Sequence, residues 1–253
     1  MNIETHPRSR LIVALDFDSL APALRFAELV ADRVGLFKIG SQLFTAEGPG
    51  ILGKVASLGV GIFLDLKFHD IPNTVAGAVL AASGLPGVQL INVHALGGRA
   101  MLQAAAQAIN AGAALDADRP RLLAVTILTS MDRKAMREAG IAGQPRDRVV
   151  KLARLAKRAG VDGVVASVQE ARAIRKACGR EFLIVTPGVR PATKTSSGKG
   201  RVPKSKDDQT RVATPAEAVR AGADYIVVGR PILAAVDPRA AAQAILDELA
   251  AAE

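Results

Sequence analysis

The sequence predicts an α/β fold, specifically a (β/α)8 TIM barrel that forms a single domain over residues 1–253. Short aliphatic runs recur at intervals of roughly 25 to 35 residues, and amphipathic segments rich in Ala, Leu and Arg separate them, as in parallel βα units. Eight such runs in 253 residues match a barrel, whereas a doubly wound sheet more often has about five to seven strands. Hydrophobic residues make up 49% of the chain and aromatic residues only 3%. We therefore expect an aliphatic core in which helices cover a sheet of Val, Ile and Leu.

Each predicted strand is a run dominated by Val, Ile and Leu. The eight strands are residues 11–15, 36–39, 61–66, 88–93, 122–128, 163–166, 182–186 and 225–228. Capping residues and prolines mark helices between them. These helices are 19–34 with Ser19 as the cap, one opening at Pro72, 132–139, 146–159, one capped by Thr214 before Pro215, and a last one starting at Pro231.

The cysteine count and the hydropathy pattern indicate a cytoplasmic protein without a membrane segment. Cys178 is the only cysteine, which excludes an intrachain disulfide and a cysteine-cluster metal site and fits a reducing compartment. Asp16 and Asp18 interrupt the first aliphatic run, so it is not the apolar part of a secretory signal. Residues 71–98 carry no charged side chain, but prolines and polar residues divide them. A buried helix followed by a buried strand explains this stretch better than a membrane span.

The net charge of +9 is unevenly distributed, because residues 194–206 contain five basic residues and no acidic one. We interpret residues 192–207, between the seventh strand and its helix, as a basic loop insertion. Two interpretations of this loop stay open: a longer, solvated lid, or a surface that steers phosphate or contacts a polyanion. Nucleic acid is not an expected partner, since so few aromatic residues leave little for base stacking.

The strongest candidate for chemistry is a charged cluster at the ends of the second and third strands. Asp65 and Lys67 alternate along one strand and therefore share a face, Asp70 lies just beyond, and Lys38 ends the neighbouring strand. A lysine held between carboxylates stays protonated and can act as a general acid. The alternative is a solvated group of ion pairs, which we disfavour because barrel enzymes place their chemistry where strands end.

A second candidate site is a phosphate cradle after the last two strands. Residues 186–190 (TPGVR) and 228–232 (VGRPI) place Arg190 and Arg230 beside glycines in the two loops that commonly bind phosphate in barrels. The alternative is that the glycines only form turns and the arginines are solvated. Asp16, at the end of the first strand, either binds substrate hydroxyls or caps the following helix.

The three histidines do not indicate a metal site. They are scattered, and none has the spacing of a metal-ligand pair. His94 is either a ligand or acid/base group or a hydrogen-bonded structural residue, and we favour the structural interpretation. His69 is predicted to be structural and to face away from Lys67, whereas His6 lies in a tail predicted to be disordered. Glycine-rich dinucleotide and P-loop motifs are absent from the sequence.

With these motifs assembled, the chain resembles the orotidine 5'-monophosphate decarboxylase family over nearly its whole length. The most specific match is residues 65–74 (DLKFHDIPNT). The supporting segments are 13–16 (VALD), 37–40 (FKIG), 125–131 (VTILTSM), 186–191 (TPGVRP), 208–209 (DQ) with Arg211, and 227–232 (VVGRPI). The resemblance implies decarboxylation of orotidine 5'-monophosphate to UMP and carbon dioxide, without a metal or organic cofactor.

The resemblance also implies a role for each matching residue. Lys67 would protonate C6 as carbon dioxide leaves, Asp65 would hold Lys67 charged beside the departing carboxylate, and Lys38 would join this network to the ribose. In a homodimer with shared active sites, Asp70, Ile71 and Thr74 would reach into the partner's site. The residues implied in nucleotide binding are Asp16 for the ribose, Ser130 for the pyrimidine, and Gln209, Gly229 and Arg230 for the phosphate, with Arg190 nearby. Thr129 and Pro187 are expected to be further substrate-binding residues.

The sequence leaves two competing functions open. One is a magnesium-dependent sugar-phosphate decarboxylase or aldolase of the same barrel superfamily, whose members typically place a metal-binding glutamate where this chain has Lys38. A lysine there would repel the ion. The other is a non-catalytic barrel that binds phosphosugars or RNA through its basic surface, which would not require the charged cluster.

Overall fold

The computed structural model of the protein describes residues 6–112, 119–191 and 213–252. Eight parallel strands close into a barrel in which each strand pairs with its neighbours in sequence and β8 pairs with β1. The strands are β1 (Leu11–Ala14), β2 (Leu36–Gly40), β3 (Gly61–Phe68), β4 (Val88–His94), β5 (Arg121–Val125), β6 (Gly163–Val165), β7 (Leu183–Pro187) and β8 (Tyr225–Val228). The predicted single-domain (β/α)8 barrel is confirmed. The predicted insertion at 192–207 lies outside the described residues.

Helices follow the strands around the barrel. They are α1 (Pro7–Arg10), α2 (Leu20–Val30), α3 (Ser41–Glu47), α4 (Gly50–Ala56), α5 (Pro72–Ser83), α6 (Gly98–Gly112), α7 (Arg133–Glu138), α8 (Pro145–Arg158), α9 (Val168–Cys178), α10 (Pro215–Arg220), α11 (Arg230–Leu233) and α12 (Pro238–Ala250). Short 3-10 turns follow α2 and β4, at Ala31–Arg33 and Ala95–Gly97. The uncharged stretch 71–98 is indeed a helix and then a strand.

Three details near the helix ends differ from the sequence predictions. His6 caps α1, because its Nδ1 accepts a hydrogen bond from the Arg8 amide; the rest of the tail that was predicted to be disordered lies outside the described residues. Ser19 holds the cap position of α2 but makes no capping bond; the Leu20 amide donates instead to Glu47 Oε1 at 2.8 Å. The final long helix does not start at Pro231, which lies in the short α11.

Alternation along the strands divides the apolar core into two layers. Inside the barrel, Ile12 packs with Phe63 and Leu90. Residues one position away, such as Val13 and Leu64, point outward and pack under the helices. The polar ends of the strands therefore stand on an apolar floor. No helix in the described part of the chain is long and apolar enough to cross a membrane.

Strand β3 is interrupted near its end. Leu64 pairs with Ile91 of β4, and the next paired residue, Phe68, lies opposite Val93. Three residues of β3 therefore stand opposite the single residue Asn92. Such a bulge bends the strand and redirects its side chains, and bulges are common beside active sites. This bulge carries Asp65 and Lys67.

Candidate active site

A cavity of about 280 Å³ lies at the carboxyl ends of the strands. Its size is close to the lower end of small-molecule pockets, ~300 Å³. Its charged wall consists of Asp16, Lys38, Asp65 and Lys67, and its basic rim contains Arg190 and Arg230. Its apolar floor is formed by residues of the inner core layer such as Phe63 and Val227. The lining residues are Ala14, Asp16, Lys38, Phe63, Asp65, Lys67, Val125, Ile127, Leu128, Thr129, Val165, Ala166, Pro187, Gly188, Val189, Arg190, Val227, Gly229, Arg230 and Pro231. The cavity therefore brings residues from both predicted sites together.

The charged wall is a chain of alternating charges across three adjacent strands. Lys67 Nζ lies 2.6 Å from Asp65 Oδ1, and Lys38 Nζ lies 3.4 Å from Asp65 Oδ2. Lys38 Nζ also donates a hydrogen bond to Asp16 Oδ1 at 3.1 Å. Gly40 leaves room for this ammonium group, since a Cβ there would come within 3.1 Å of Lys38 Nζ. Each lysine is thus held by a carboxylate in a fixed place.

Two ammonium groups keep the Asp65 carboxylate ionised. Burial by itself raises the pKa of Asp65, but the charges of Lys38 and Lys67, with hydrogen bonds from Lys67 and Asn92, lower that pKa below its ordinary value. The Asp65 side chain is only 12% exposed, whereas that of Lys67 is 39% exposed. Asp65 is therefore the buried anchor of the wall, and Lys67 presents its ammonium group to the cavity.

The backbone of Lys67 is strained. Its φ of 52° is the one positive φ among non-glycine residues of the described ranges. Such a conformation costs on the order of 1–3 kcal/mol and persists only where the surroundings impose it. Here the Lys67 amide donates to Asn92 Oδ1 at 2.7 Å, and Asn92 Nδ2 donates to Asp65 Oδ1 at 2.6 Å.

Asn92 is a site residue that the sequence reasoning missed. It is fully buried on β4, at the position opposite the bulge. A signal was present in the sequence: Asn92 places an amide side chain two residues after Leu90 and so on the same face of an otherwise aliphatic stretch. A buried amide in a barrel interior needs polar partners, and the charged cluster supplies them.

The two histidines near Lys67 form a stacked pair, with ring centroids of His69 and His94 5.3 Å apart. Burial, together with the charges of His69 and Lys67, lowers the pKa of His94 to about 4. His94 is therefore neutral at pH 7, and its Nδ1 accepts a hydrogen bond from the Leu96 amide at 3.3 Å. These contacts fit the structural interpretation of both residues.

The basic rim contains most of the predicted phosphate-binding residues. Arg190 and Pro187 come from β7 and the loop after it, and Gly229 and Arg230 from the start of α11. Gly188 allows the turn between Pro187 and Arg190, because its φ is 78°. Gln209, which was predicted to join them, lies outside the described residues.

Four predicted site residues do not line the cavity of this chain, as far as the described residues go. Ser130 is exposed one residue beyond Thr129, which does line it. Asp70, Ile71 and Thr74 are exposed where β3 leads into α5. Asp70 Oδ1 accepts a hydrogen bond from the Ile71 amide at 2.6 Å, which bends its carboxyl group back onto its own chain.

The geometry suits the protonation of a carbanion on an anionic substrate. The apolar floor can hold a flat ring, the rim can bind a phosphate, and Asp16 with Lys38 can bind hydroxyl groups between them. Lys67, which contacts the Asp65 carboxylate and lines the cavity, can then act as the proton donor.

Comparison with known proteins gives a consistent result. The family model described as "Orotidine 5'-phosphate decarboxylase / HUMPS family" matches residues 9–245. An orotidine 5'-phosphate decarboxylase of Moorella thermoacetica is 53% identical over 249 residues, which cover 98% of this chain and 94% of the relative. One from Pelobacter propionicus is 52% identical over 244 residues, 96% of each chain.

A solved structure agrees. The orotidine 5'-phosphate decarboxylase of Lactobacillus acidophilus superposes with a TM-score of 0.80 at 37% identity, over 94% of this chain and 98% of the other. The likeness in sequence and in backbone therefore spans the barrel from β1 to β8.

Proposed function

Because this chain belongs to the orotidine 5'-phosphate decarboxylase / HUMPS family, we propose that it converts orotidine 5'-monophosphate into UMP and carbon dioxide in pyrimidine biosynthesis, with Lys67 as the proton donor. The observation that carries this mechanism is the alternating chain of Lys67, Asp65, Lys38 and Asp16. It sets a fixed cation beside an apolar floor, which is what a carbanion without a conventional electron sink requires.

The reaction breaks the bond between C6 and the substrate carboxylate. Carbon dioxide leaves, the electron pair of the bond stays on C6 in the ring plane, and the Lys67 ammonium group donates its proton to C6. The product is UMP, and the neutral amine of Lys67 regains a proton from solvent. Because the charge on C6 develops only in the transition state, a preorganised ammonium group there raises the rate rather than the ground-state affinity.

Asp65 has two tasks in this proposal. It holds Lys67 in its charged form. It also places a negative charge beside the substrate carboxylate, and the repulsion between these two carboxylates is relieved when carbon dioxide departs. The lowered pKa of Asp65 supports both tasks, since the group must be ionised. Lys38 balances this charge and, with Asp16, binds the ribose hydroxyl groups.

The phosphate supplies the binding energy for this arrangement. Arg190, Arg230 and the backbone at Gly229 bind it at the rim, with Pro187 beside them. Gln209, which lies outside the described residues, is proposed as a further phosphate ligand. Thr129 and Ser130 bind the pyrimidine edge. Energy from the distant phosphate can be used to hold the reacting groups in place.

A homodimer with shared active sites is part of the proposal. Asp70, Ile71 and Thr74 are exposed on their own chain, and Ile71 is a large apolar residue with 66% of its surface exposed. Two other exposed apolar residues, Leu96 and Leu128, also follow strand ends on this side of the barrel. A second copy could cover these side chains while its own cavity receives Asp70.

The magnesium-dependent alternative is less well supported. Two lysines contact Asp65 within the cavity, and Lys38 stands at the end of β2. A divalent cation binding to Asp65 would have to displace these ammonium groups. We propose that the reaction needs neither a metal nor an organic cofactor, and that the protein acts in the cytoplasm.

One assay separates these functions. Purified protein with orotidine 5'-monophosphate and an excess of chelator should show the loss of substrate absorbance and the release of carbon dioxide. Activity toward a sugar phosphate that requires magnesium, with orotidine 5'-monophosphate left unchanged, would reject the proposal. Binding of nucleotide without turnover would favour the non-catalytic barrel.

A further inference from the structure

We infer that Asn92 is a positioning residue for this decarboxylation: its side-chain amide holds the Lys67 backbone and the Asp65 carboxylate in one fixed arrangement. The inference rests on the proposed function and adds a residue to it. Asn92 is fully buried, and it is not one of the described residues that line the cavity. It therefore acts through Lys67 and Asp65 rather than on the substrate.

The bulge in β3 creates the need for such a residue. Between the paired positions Leu64 and Phe68, three residues of β3 stand opposite Asn92 alone. The regular ladder is lost there, so the partly buried Lys67 amide needs another acceptor. Asn92 Oδ1 is that acceptor, at 2.7 Å.

The other end of the amide fixes the carboxylate. Asn92 Nδ2 donates to Asp65 Oδ1 at 2.6 Å, the same oxygen that Lys67 Nζ approaches at 2.6 Å. The orientation of the amide is determined by its partners, because the Lys67 amide can only donate and an ionised carboxylate can only accept. Backbone and side chain of the catalytic lysine are thus linked through Asp65 and Asn92.

This geometry makes asparagine hard to replace. Alanine removes both hydrogen bonds, so the strained φ of Lys67 loses a contact that imposes it. Aspartate has nearly the same shape, but its ionised form repels Asp65 and has no hydrogen to donate. Only the protonated carboxyl group can accept from the Lys67 amide and donate to Asp65 at once.

The first test is Asn92→Ala. We expect kcat/KM for orotidine 5'-monophosphate to fall about 10²-fold while the Kd for UMP changes less than about threefold, because misplaced reacting groups lower the rate more than the affinity. The acidic limb of the pH profile should move to higher pH, since Asp65 loses a hydrogen-bond donor. Lys38 and Lys67, the charged groups that face Asp65, are retained in this variant.

Thr126→Val is the matched control. Thr126, the residue after β5, is fully buried, and its hydroxyl group donates to the Val165 carbonyl oxygen at 3.0 Å rather than to a residue of the charged wall. This variant also loses a buried hydrogen bond, but it should keep the wild-type acidic limb. An effect of Asn92→Ala that only matches the control would mean a structural role and would reject the inference.

Asn92→Asp provides a second readout that does not depend on the first variant folding. The activity of this variant relative to wild type should rise as the pH falls below 7, because the introduced carboxyl group must be protonated to work. A ratio that stays flat or falls with decreasing pH overturns the inference. An inactive wild-type enzyme would instead reject the proposed function, so the two failures are distinguishable.

Discussion

The ammonium group of Lys38 lies 3.4 Å from Asp65 Oδ2, whereas Lys67 contacts Oδ1 of the same carboxylate. Replacing Lys38 with Met should therefore raise the pKa of Asp65, because one of the two charges that lower this pKa is removed. The acidic limb of kcat/KM should move to higher pH, and kcat/KM at pH 7 should fall by roughly 10²- to 10³-fold. A pH profile of initial rates tests this, and an unshifted acidic limb would contradict it.

Lys67→Ala should abolish turnover and leave nucleotide binding nearly intact. Removal of the proton donor and of the charge at C6 should lower kcat by at least about 10⁴-fold. UMP should still bind in a calorimetric titration, since the rim and the floor are unchanged. Lys54→Ala, which alters a side chain on α4 outside the cavity, is the control and should keep wild-type rates. Continued release of carbon dioxide by Lys67→Ala would refute the mechanism.

Shared active sites can be tested by mixing two inactive variants. In Lys67→Ala one chain lacks the proton donor, and in Asp70→Ala the other lacks the residue proposed to enter the partner's site. A hybrid dimer contains one site with both residues intact, so remixed protein should regain about a quarter of wild-type activity. Each variant alone should stay inactive. If mixing after subunit exchange restores no activity, Asp70 does not act across an interface.

His94 should make stability depend on pH in mildly acidic solution. The pKa of His94 is lowered from 6.5 to about 4 in the folded protein, so the unfolded chain binds a proton more readily between these values. The free energy of unfolding should therefore decrease as the pH falls from about 6.5 to about 4. His94→Asn should lose less stability over this range, as measured by urea denaturation at several pH values. His6→Asn, at the exposed cap of α1, should behave like wild type.

The barrel and most of the charged wall could be predicted from patterns in the sequence. Aliphatic runs at regular spacing predicted the eight strands, and parallel strands that end together predicted that Lys38 would meet Asp65 and Lys67. The contact of Lys38 with Asp16 was not part of that prediction. The site depends on the order of strands in the closed sheet, which is the order in the sequence. Local patterns were therefore enough to bring Lys38, Asp65 and Lys67 together.

The bulge was not predictable in the same way. Simple alternation did place Asp65 and Lys67 together, but it assumes a regular strand, whereas Lys67 has a left-handed φ of 52°. The register shift arises from pairing with β4, a contact between segments about 25 residues apart. A single segment does not contain that information. The sequence marked Asn92 as a polar residue on the inner face of β4, but it did not show that Lys67 and Asp65 would be its partners.

The pairing of β1 with β8 brings the first and last strands of the barrel together beside the cavity. Asp16 comes from the first βα loop and Gly229 from the last, and a Cβ at Gly229 would lie 3.5 Å from Asp16 Oδ2. Lys67, the proposed proton donor, is synthesised early with β3, whereas the basic rim is synthesised only with β7 and β8. If the proposed site is correct, we expect turnover only after β8 has paired with β1, so that activity would report closure of the barrel in a refolding experiment.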